Sequence, residues 1–275
     1  MLRHFLMRLV RNKFFILFLL TFFLLIGFLT LDVYQYLYPG AFRYLFSKEQ
    51  TSPPLGTEVI IIKTADNVSL RVWKRQQVKS DAPTILVFGG DDGDVRYQEG
   101  IAQYFFQKGL SVITFDYRGF GASSGFPSQT GIEKDVEALI TLFKAVPQQN
   151  RYVFGISFGT YPALYAATKI QIEKLILVAP FIDFPSVDRT YYHYPWIVDL
   201  IWPEYSNEKL IYRIVGDPRI NIVYGDSDIL IPPAQSLSLE QQARSVGLKV
   251  KASKISNANH MTVMSKIVQS TNVLE

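Results

Sequence analysis

Three short stretches of this 275-residue chain carry the residue types that activate a hydroxyl for attack on a carbonyl. The first is Gly155-Ile-Ser157-Phe-Gly159, which directly follows the run RYVF and precedes a helix-like stretch. A serine on a sharp strand-to-helix turn adopts strained backbone angles, and its neighbours two before and two after must be small, hence glycine at both places. The second is Val223-Tyr-Gly225-Asp-Ser-Asp228-Ile-Leu-Ile-Pro232, again at the end of an apolar run, with two acids, Asp226 and Asp228. The third is Asn257-Ala-Asn-His260, ahead of the last helix-like segment. Of the three histidines, His4 lies in the basic N-terminal tail and His193 in an aromatic-rich segment. His260 follows the acids in the order Ser, Asp, His, and it is the best-placed base if an imidazole activates Ser157. Taken singly, the first stretch also reads as an ordinary Gly-Ser turn and the third as a solvated cap. Their joint occurrence at strand ends favours chemistry.

The elements that would position these stretches alternate. Glu58–Lys63 and Val68–Lys74 are β-rich and separated by Ala-Asp-Asn, a hairpin-like opening. Short apolar runs then recur at Ile85–Phe88, Val112–Phe115, Tyr152–Phe154, Leu175–Val178 and Ile220–Tyr224. Strands apolar on both faces belong inside a parallel sheet covered by helices. Helical periodicity appears over Tyr97–Lys108, Ile132–Val146, Phe158–Thr168 and Pro232–Val246, and in a terminal stretch from Met261. This order predicts an α/β fold with a mostly parallel, doubly wound sheet and an antiparallel N-terminal hairpin. In such sheets function collects at the carboxyl ends of the strands, where all three stretches fall.

The N-terminus reads differently. Phe14 to Leu31 contains no charged residue and would span roughly 27 Å as a helix, close to the hydrocarbon thickness of a bilayer. Tyr34, Tyr36 and Tyr38 follow, where aromatic rings favour the headgroup region. No small-residue cleavage site follows the run, so residues 14–34 are expected to be one uncleaved transmembrane signal anchor. Residues 1–13 form a basic tail, 35–56 a stalk containing Pro39-Gly40 and Pro53-Pro54, and 57–275 the globular domain. The basic tail places the N-terminus in the cytoplasm and the domain across the membrane, which would be the periplasm in a bacterium. The net charge of +4 resides in Arg3, Arg8, Arg11 and Lys13, and the remaining chain balances 24 basic against 24 acidic residues. That disfavours nucleic acid as a partner. The absence of cysteine excludes disulfides, thiolate metal sites and a cysteine nucleophile.

With these residues in view, residues 57–272 resemble the α/β-hydrolase superfamily, and most closely its membrane-anchored serine hydrolases. The likeness is carried by Phe88-Gly-Gly-Asp-Asp-Gly93, Phe115-Asp-Tyr-Arg-Gly-Phe-Gly-Ala-Ser-Ser-Gly125, Gly155-Ile-Ser-Phe-Gly159, Gly225-Asp-Ser-Asp228 and His260. The resemblance implies Ser157 as nucleophile, His260 as general base and then acid, and Asp228, rather than Asp226, as the orienting carboxylate. It implies an oxyanion hole from the backbone N–H groups of Phe158 and Asp91, and no metal or organic cofactor. It gives the D-Y-R-G-x-G-x-S-x-G segment a structural role, bracketing the serine turn. The family often has His-Gly after the third strand, where this chain has Gly89-Gly90, with Asp91 and Asp92 beside the developing oxyanion.

The expected reaction is hydrolysis of a carboxylic ester or thioester through an acyl-enzyme, esterase- or lipase-like. A peptidase with the same three residues, or a hydrolase-like binding protein without activity, are the alternatives. Residues 181–215 form an aromatic, lid-like insertion in which Tyr191, Trp196 and Trp202 are the candidate substrate-binding residues. Beside a membrane tether, that composition suits an ester-containing small molecule or lipid. The plainer alternative is that these rings simply pack on the sheet.

Overall fold

Runs such as Thr84–Phe88 and Lys174–Val178 bury nearly all their residues, which only the interior of a sheet covered on both faces permits. The structure is a computed structural model that describes residues 17–25, 52–91, 95–188 and 205–270. Its strands are β1 (Thr57–Lys63), β2 (Ser69–Arg75), β3 (Thr84–Phe88), β4 (Ser111–Phe115), β5 (Arg151–Ile156), β6 (Lys174–Val178), β7 (Arg219–Gly225) and β8 (Val250–Ile255). They form one sheet in the order β1-β2-β4-β3-β5-β6-β7-β8. β1 and β2 make an antiparallel hairpin in register from Thr57↔Arg75 to Lys63↔Ser69, and β2 runs antiparallel to β4. Every other pairing is parallel. The mixed sheet with its N-terminal hairpin is the one the sequence pattern predicts.

The helices are α1 (Val95–Gln107), α2 (Gln129–Phe143), α3 (Thr160–Lys169), α4 (Phe184–Asp188), α5 (Asn207–Ile211), α6 (Pro233–Ser245) and α7 (Val263–Ser270). Alternate residues of each strand feed two apolar cores. Leu86, Phe88, Val153, Leu175, Leu177 and Ile222 pack with α2, α3 and α6. Ile85, Val87, Phe154, Ile176 and Val223 face the other way, toward α1 and α7. The period of two in the strands thus decides which helix each residue meets.

Two differences from the sequence reading have physical reasons, and one alternative it left open is partly answered. β8 escapes it because VKASKI is an edge strand that buries only its end residues, Val250 and Ile255, and so lacks a continuous apolar run. α2 starts at Gln129 rather than Ile132 because Ser128 caps it, its hydroxyl accepting from Gly131 N–H at 3.1 Å. Within residues 181–215, Phe181 and Tyr205 are fully buried in the core cluster with α3, and the half-buried Phe184 packs against it. These three rings pack on the domain, as the plainer alternative has it. Tyr191, Trp196 and Trp202 lie outside the described residues.

Of the expected anchor 14–34, only residues 17–25 are described, and they are helical. Leu17, Phe18, Leu20, Phe22, Phe23, Leu24 and Leu25 are all exposed, so this apolar segment buries no face. Among the described residues no helix is long and apolar enough to cross a membrane.

Candidate active site

β5 ends at Ile156 and α3 begins at Thr160, leaving three residues in which the chain must reverse from strand to helix. Ser157 makes that turn at φ +54°, a left-handed conformation that costs a non-glycine residue free energy. The two glycines are required by contact. A Cβ on Gly155 would lie 2.4 Å from the Gly159 carbonyl oxygen and 2.7 Å from Ala163 Cβ. A Cβ on Gly159 would lie 2.2 Å from the Phe88 carbonyl oxygen. The turn can therefore press against the end of β3 only if both positions lack side chains.

The other two stretches meet it. Gly225 ends β7, and a Cβ there would lie 2.2 Å from the Ala258 carbonyl oxygen, so a side chain at this point would push the 257–260 loop away. Ser227 N–H donates to that same carbonyl at 3.0 Å, fastening the two loops together. Asp228 Oδ1 accepts from the N–H groups of Leu230 and Ile231 at 3.0 and 2.9 Å. Its Oδ2 lies 2.8 Å from His260 Nδ1, and His260 Nε2 lies 2.9 Å from Ser157 Oγ. The carboxylate is held by two backbone amides on one oxygen and faces the imidazole with the other. An imidazole that donates from Nδ1 to Asp228 presents the Nε2 lone pair to the serine hydroxyl, the arrangement that removes its proton during attack.

The Asp228 side chain is 1% exposed and that of His260 15%. The acid is shielded, while the imidazole keeps an accessible edge. Asp226, the rival acid, is exposed, and its Oδ1 accepts from the Ser227 hydroxyl at 3.0 Å. The structure brings Ser157, His260 and Asp228 together and leaves Asp226 outside.

The loop after β3 passes beside the serine. A Cβ on Gly90 would be 3.9 Å from Ser157 Cβ. Asp91 follows with its side chain exposed. The Asp92 side chain lies outside the described residues. Gly89 stands where the resemblance puts histidine, and the space above it is taken: a Cβ there would be 2.7 Å from Gln98 Cγ. Gln98 is buried and donates from Nε2 to the Phe115 carbonyl at 2.9 Å. Tyr117 Oη donates to the Gly89 carbonyl at 3.1 Å. Burial pushes the Tyr117 phenol well above its ordinary pKa, so it keeps the proton this bond uses. Sequence reasoning missed both supports. Tyr117 sits inside the D-Y-R-G segment, which was the available signal; Gln98 has none.

Residues 79–220 match the family model Hydrolase_4, described as serine aminopeptidase, S33. The chain belongs to this hydrolase family. The matched region contains Ser157 but ends before Asp228 and His260, so the joining of those two to the serine rests on the geometry above. A Hydrolase_4 chain of this kind has relatives across kingdoms. It is similar to an uncharacterized protein of Mycobacterium tuberculosis, 30% identical over 190 residues that span 66% of each chain. It is also similar to an uncharacterized membrane protein of Saccharomyces cerevisiae, 26% identical over 208 residues, 70% of each chain. Among solved structures it resembles an esterase of Pyrococcus furiosus, with a TM-score of 0.65 at 17% identity, covering 80% of this chain and 90% of that one. At that identity the likeness is one of fold, and the fold is that of the α/β hydrolases.

Proposed function

We propose that this Hydrolase_4 protein is a membrane-anchored serine hydrolase that cleaves a carboxylic ester or thioester through an acyl-enzyme on Ser157. The observation that carries the reading is the unbroken chain Ser157 Oγ, His260 Nε2, His260 Nδ1, Asp228 Oδ2, with 2.9 and 2.8 Å at its two contacts. His260 takes the hydroxyl proton as Oγ attacks the carbonyl, and Asp228 stabilises the imidazolium that forms. The backbone N–H groups of Phe158 and Asp91 receive the tetrahedral oxyanion. His260 then returns its proton to the leaving oxygen or sulfur, and the same residue activates the water that releases the acid. Loss of one oxyanion donor typically costs about 3–4 kcal/mol, so the Gly89–Asp91 loop matters nearly as much as the three side chains.

Anchoring is supported by the uncharged run 14–31, by the exposed apolar face of residues 17–25, and by the yeast relative's description as a membrane protein. In this reading residues 1–13 are cytoplasmic and the domain lies on the opposite side, within reach of lipid-like esters. Protease treatment of sealed vesicles tests the topology: a domain digested from the cytoplasmic face overturns it.

A fluorophosphonate probe tests the chemistry. Labelling of the wild type that disappears in Ser157→Ala supports the hydrolase, and absence of labelling in folded wild type favours a binding protein. The family description favours one second reading, an aminopeptidase. Parallel assays of p-nitrophenyl esters of increasing chain length and of amino-acid p-nitroanilides separate the two. Turnover confined to the anilides would replace the esterase reading, and preference for acetyl or butyryl esters would remove the lipid.

A further inference from the structure

The carbonyl of Ser157 and the N–H of Phe158 belong to one peptide group. Because that group is planar, whatever holds its oxygen also aims its N–H. Thr160 Oγ1 donates to the Ser157 carbonyl at 2.7 Å. A hydroxyl has one proton, and this bond uses it, so toward any other partner Thr160 Oγ1 acts as an acceptor. It accepts from Asn207 Nδ2 at 2.9 Å, and the second N–H of the same amide donates to the Phe181 carbonyl at 2.9 Å. Thr160 and Asn207 are both fully buried. Asn207 Oδ1, on the other side of the amide, is buried without a hydrogen-bond partner among the described residues. A buried amide that leaves its acceptor unsatisfied is placed for its donors.

We propose that Thr160 and Asn207 are positioning residues for the oxyanion hole, forming a relay from the Asn207 amide through the Thr160 hydroxyl and the Ser157–Phe158 peptide to the Phe158 N–H. This rests on the reading above, in which that N–H receives the oxyanion. The relay has two effects. It fixes the plane of a peptide whose first residue sits at φ +54°, and it polarises that peptide, because a carbonyl that accepts a hydrogen bond makes its own N–H a stronger donor. Both effects grow in importance as charge develops on the substrate oxygen, so they act on the transition state more than on the bound substrate.

The relay also begins away from the serine turn. Asn207 opens α5, and Phe181 follows β6, so the amide ties the two roots of the segment after β6 together. The bridge between Asp183 and Ser206 joins the same two roots. The polar character of position 207 is thus matched to the serine turn, 50 residues earlier in the chain.

The test uses steady-state hydrolysis of p-nitrophenyl butyrate by the full-length protein. Thr160→Val keeps the side-chain shape and removes the hydroxyl; kcat is expected to fall about tenfold with KM within about twofold. The pH at half-maximal kcat/KM stays at the wild-type value, because His260 and Asp228 are untouched. Thr160→Ser restores most of the loss. Asn207→Asp replaces the donor by an acceptor that captures the Thr160 proton, and it lowers kcat to a similar extent. The double variant T160V/N207D is no slower than T160V, since both act through one hydroxyl. Folded T160V with wild-type kcat overturns the relay, as does a loss confined to KM, a shifted pH profile, or multiplicative losses in the double variant. If N207D does not fold, the T160V and T160S pair decides. Hydrolysis that survives Ser157→Ala overturns the relay together with the reading beneath it, whereas loss in S157A with normal T160V overturns the relay alone.

Discussion

Two glycine-rich loops flank β3, one after β4 and one after β5, and both draw polar groups into buried positions. In the β4 loop every charge closes on another. Asp116 pairs with Arg71 at 2.5 Å and accepts from Ala122 N–H at 3.0 Å. Arg118 meets Asp135 at 2.8 Å and Asp66 at 2.9 Å. The hydroxyls of Ser123 and Ser124 accept from the backbone of β2. In the β5 loop the hydroxyl of Ser157 meets an imidazole whose edge remains accessible. Glycine content and burial do not separate a working loop from a supporting one. The separation lies in whether the polar atoms are consumed by one another or converge on a shared, reachable point.

The sharpest way to break that contrast is to remove the imidazole. His260→Ala is expected to lower kcat/KM for p-nitrophenyl butyrate by about 10³–10⁴-fold, while the urea midpoint moves little, because the imidazole is partly exposed, so water can replace it beside Asp228, and Asp228 keeps its bonds from the Leu230 and Ile231 N–H groups. Asp228→Asn follows the same direction through a misoriented imidazole. Asp226→Asn, at the surface, leaves the rate within about twofold. A large loss at Asp226 would reassign the acid.

The β4 loop should answer in the other currency. Arg118→Met strands Asp135, which is fully buried, and breaking such a pair costs about 3–5 kcal/mol of folding stability. The fraction of protein that remains folded keeps its kcat. Urea denaturation combined with active-site titration reads both quantities, and a lowered kcat per active site would show that this loop takes part in the chemistry.

The two acids around Arg118 sharpen the contrast through pH. Burial pushes the Asp135 carboxyl up to about 6, against the pull of Arg118. A folded-state value above the unfolded one means that its contribution to stability is complete below about pH 4 and is lost as pH rises through about 6, amounting to roughly 3 kcal/mol at most. Asp66 has the opposite sign: the hydrogen bond from Arg118 holds its carboxyl well below the usual range, so its contribution is present above about pH 4 and is lost on further acidification. Urea titrations between pH 4.5 and 7 should show a downward component that disappears in Asp135→Asn. A pH dependence unchanged by that substitution would place the titration elsewhere.

Much of this arrangement was legible in the residues. Strands β3 to β7 announce themselves because burial on both faces demands continuous apolar runs, and Gly155 and Gly159 mark the turn around Ser157 because contact distances at both glycines forbid side chains. His260 could be reached by elimination among three histidines. What stayed hidden is what depends on distant neighbours. Gln98 reaches the Phe115 carbonyl and Asn207 reaches Thr160 only because the sheet order brings their elements together, and neither residue carries a local pattern. β8 hid for another reason: as an edge strand it needs few apolar residues. The choice between Asp226 and Asp228 came from resemblance alone until the imidazole's position separated them.

Tyr117 is where the contrast between the loops is weakest. It belongs to the β4 loop by sequence, yet its ring lies 6.0 Å from that of Phe158, and its hydroxyl reaches the buried Gly89 carbonyl at the end of β3. That bond fixes the Gly89–Gly90 peptide, one residue before the peptide that carries the Asp91 N–H. Tyr117→Phe removes the bond and keeps the ring, so it should cost about 1 kcal/mol of stability through an unsatisfied carbonyl. If the tilt of that peptide reaches the next one, kcat falls as well, by about threefold at unchanged KM, since a slightly misdirected oxyanion donor loses only part of its worth. We expect both effects, with the kinetic one the smallest loss of rate expected here of any variant that loses rate. Kinetics and urea denaturation on the same preparation decide it. Loss of stability with an unaltered kcat would make the β4 loop purely a support, and the division between the two loops would then run cleanly through Tyr117.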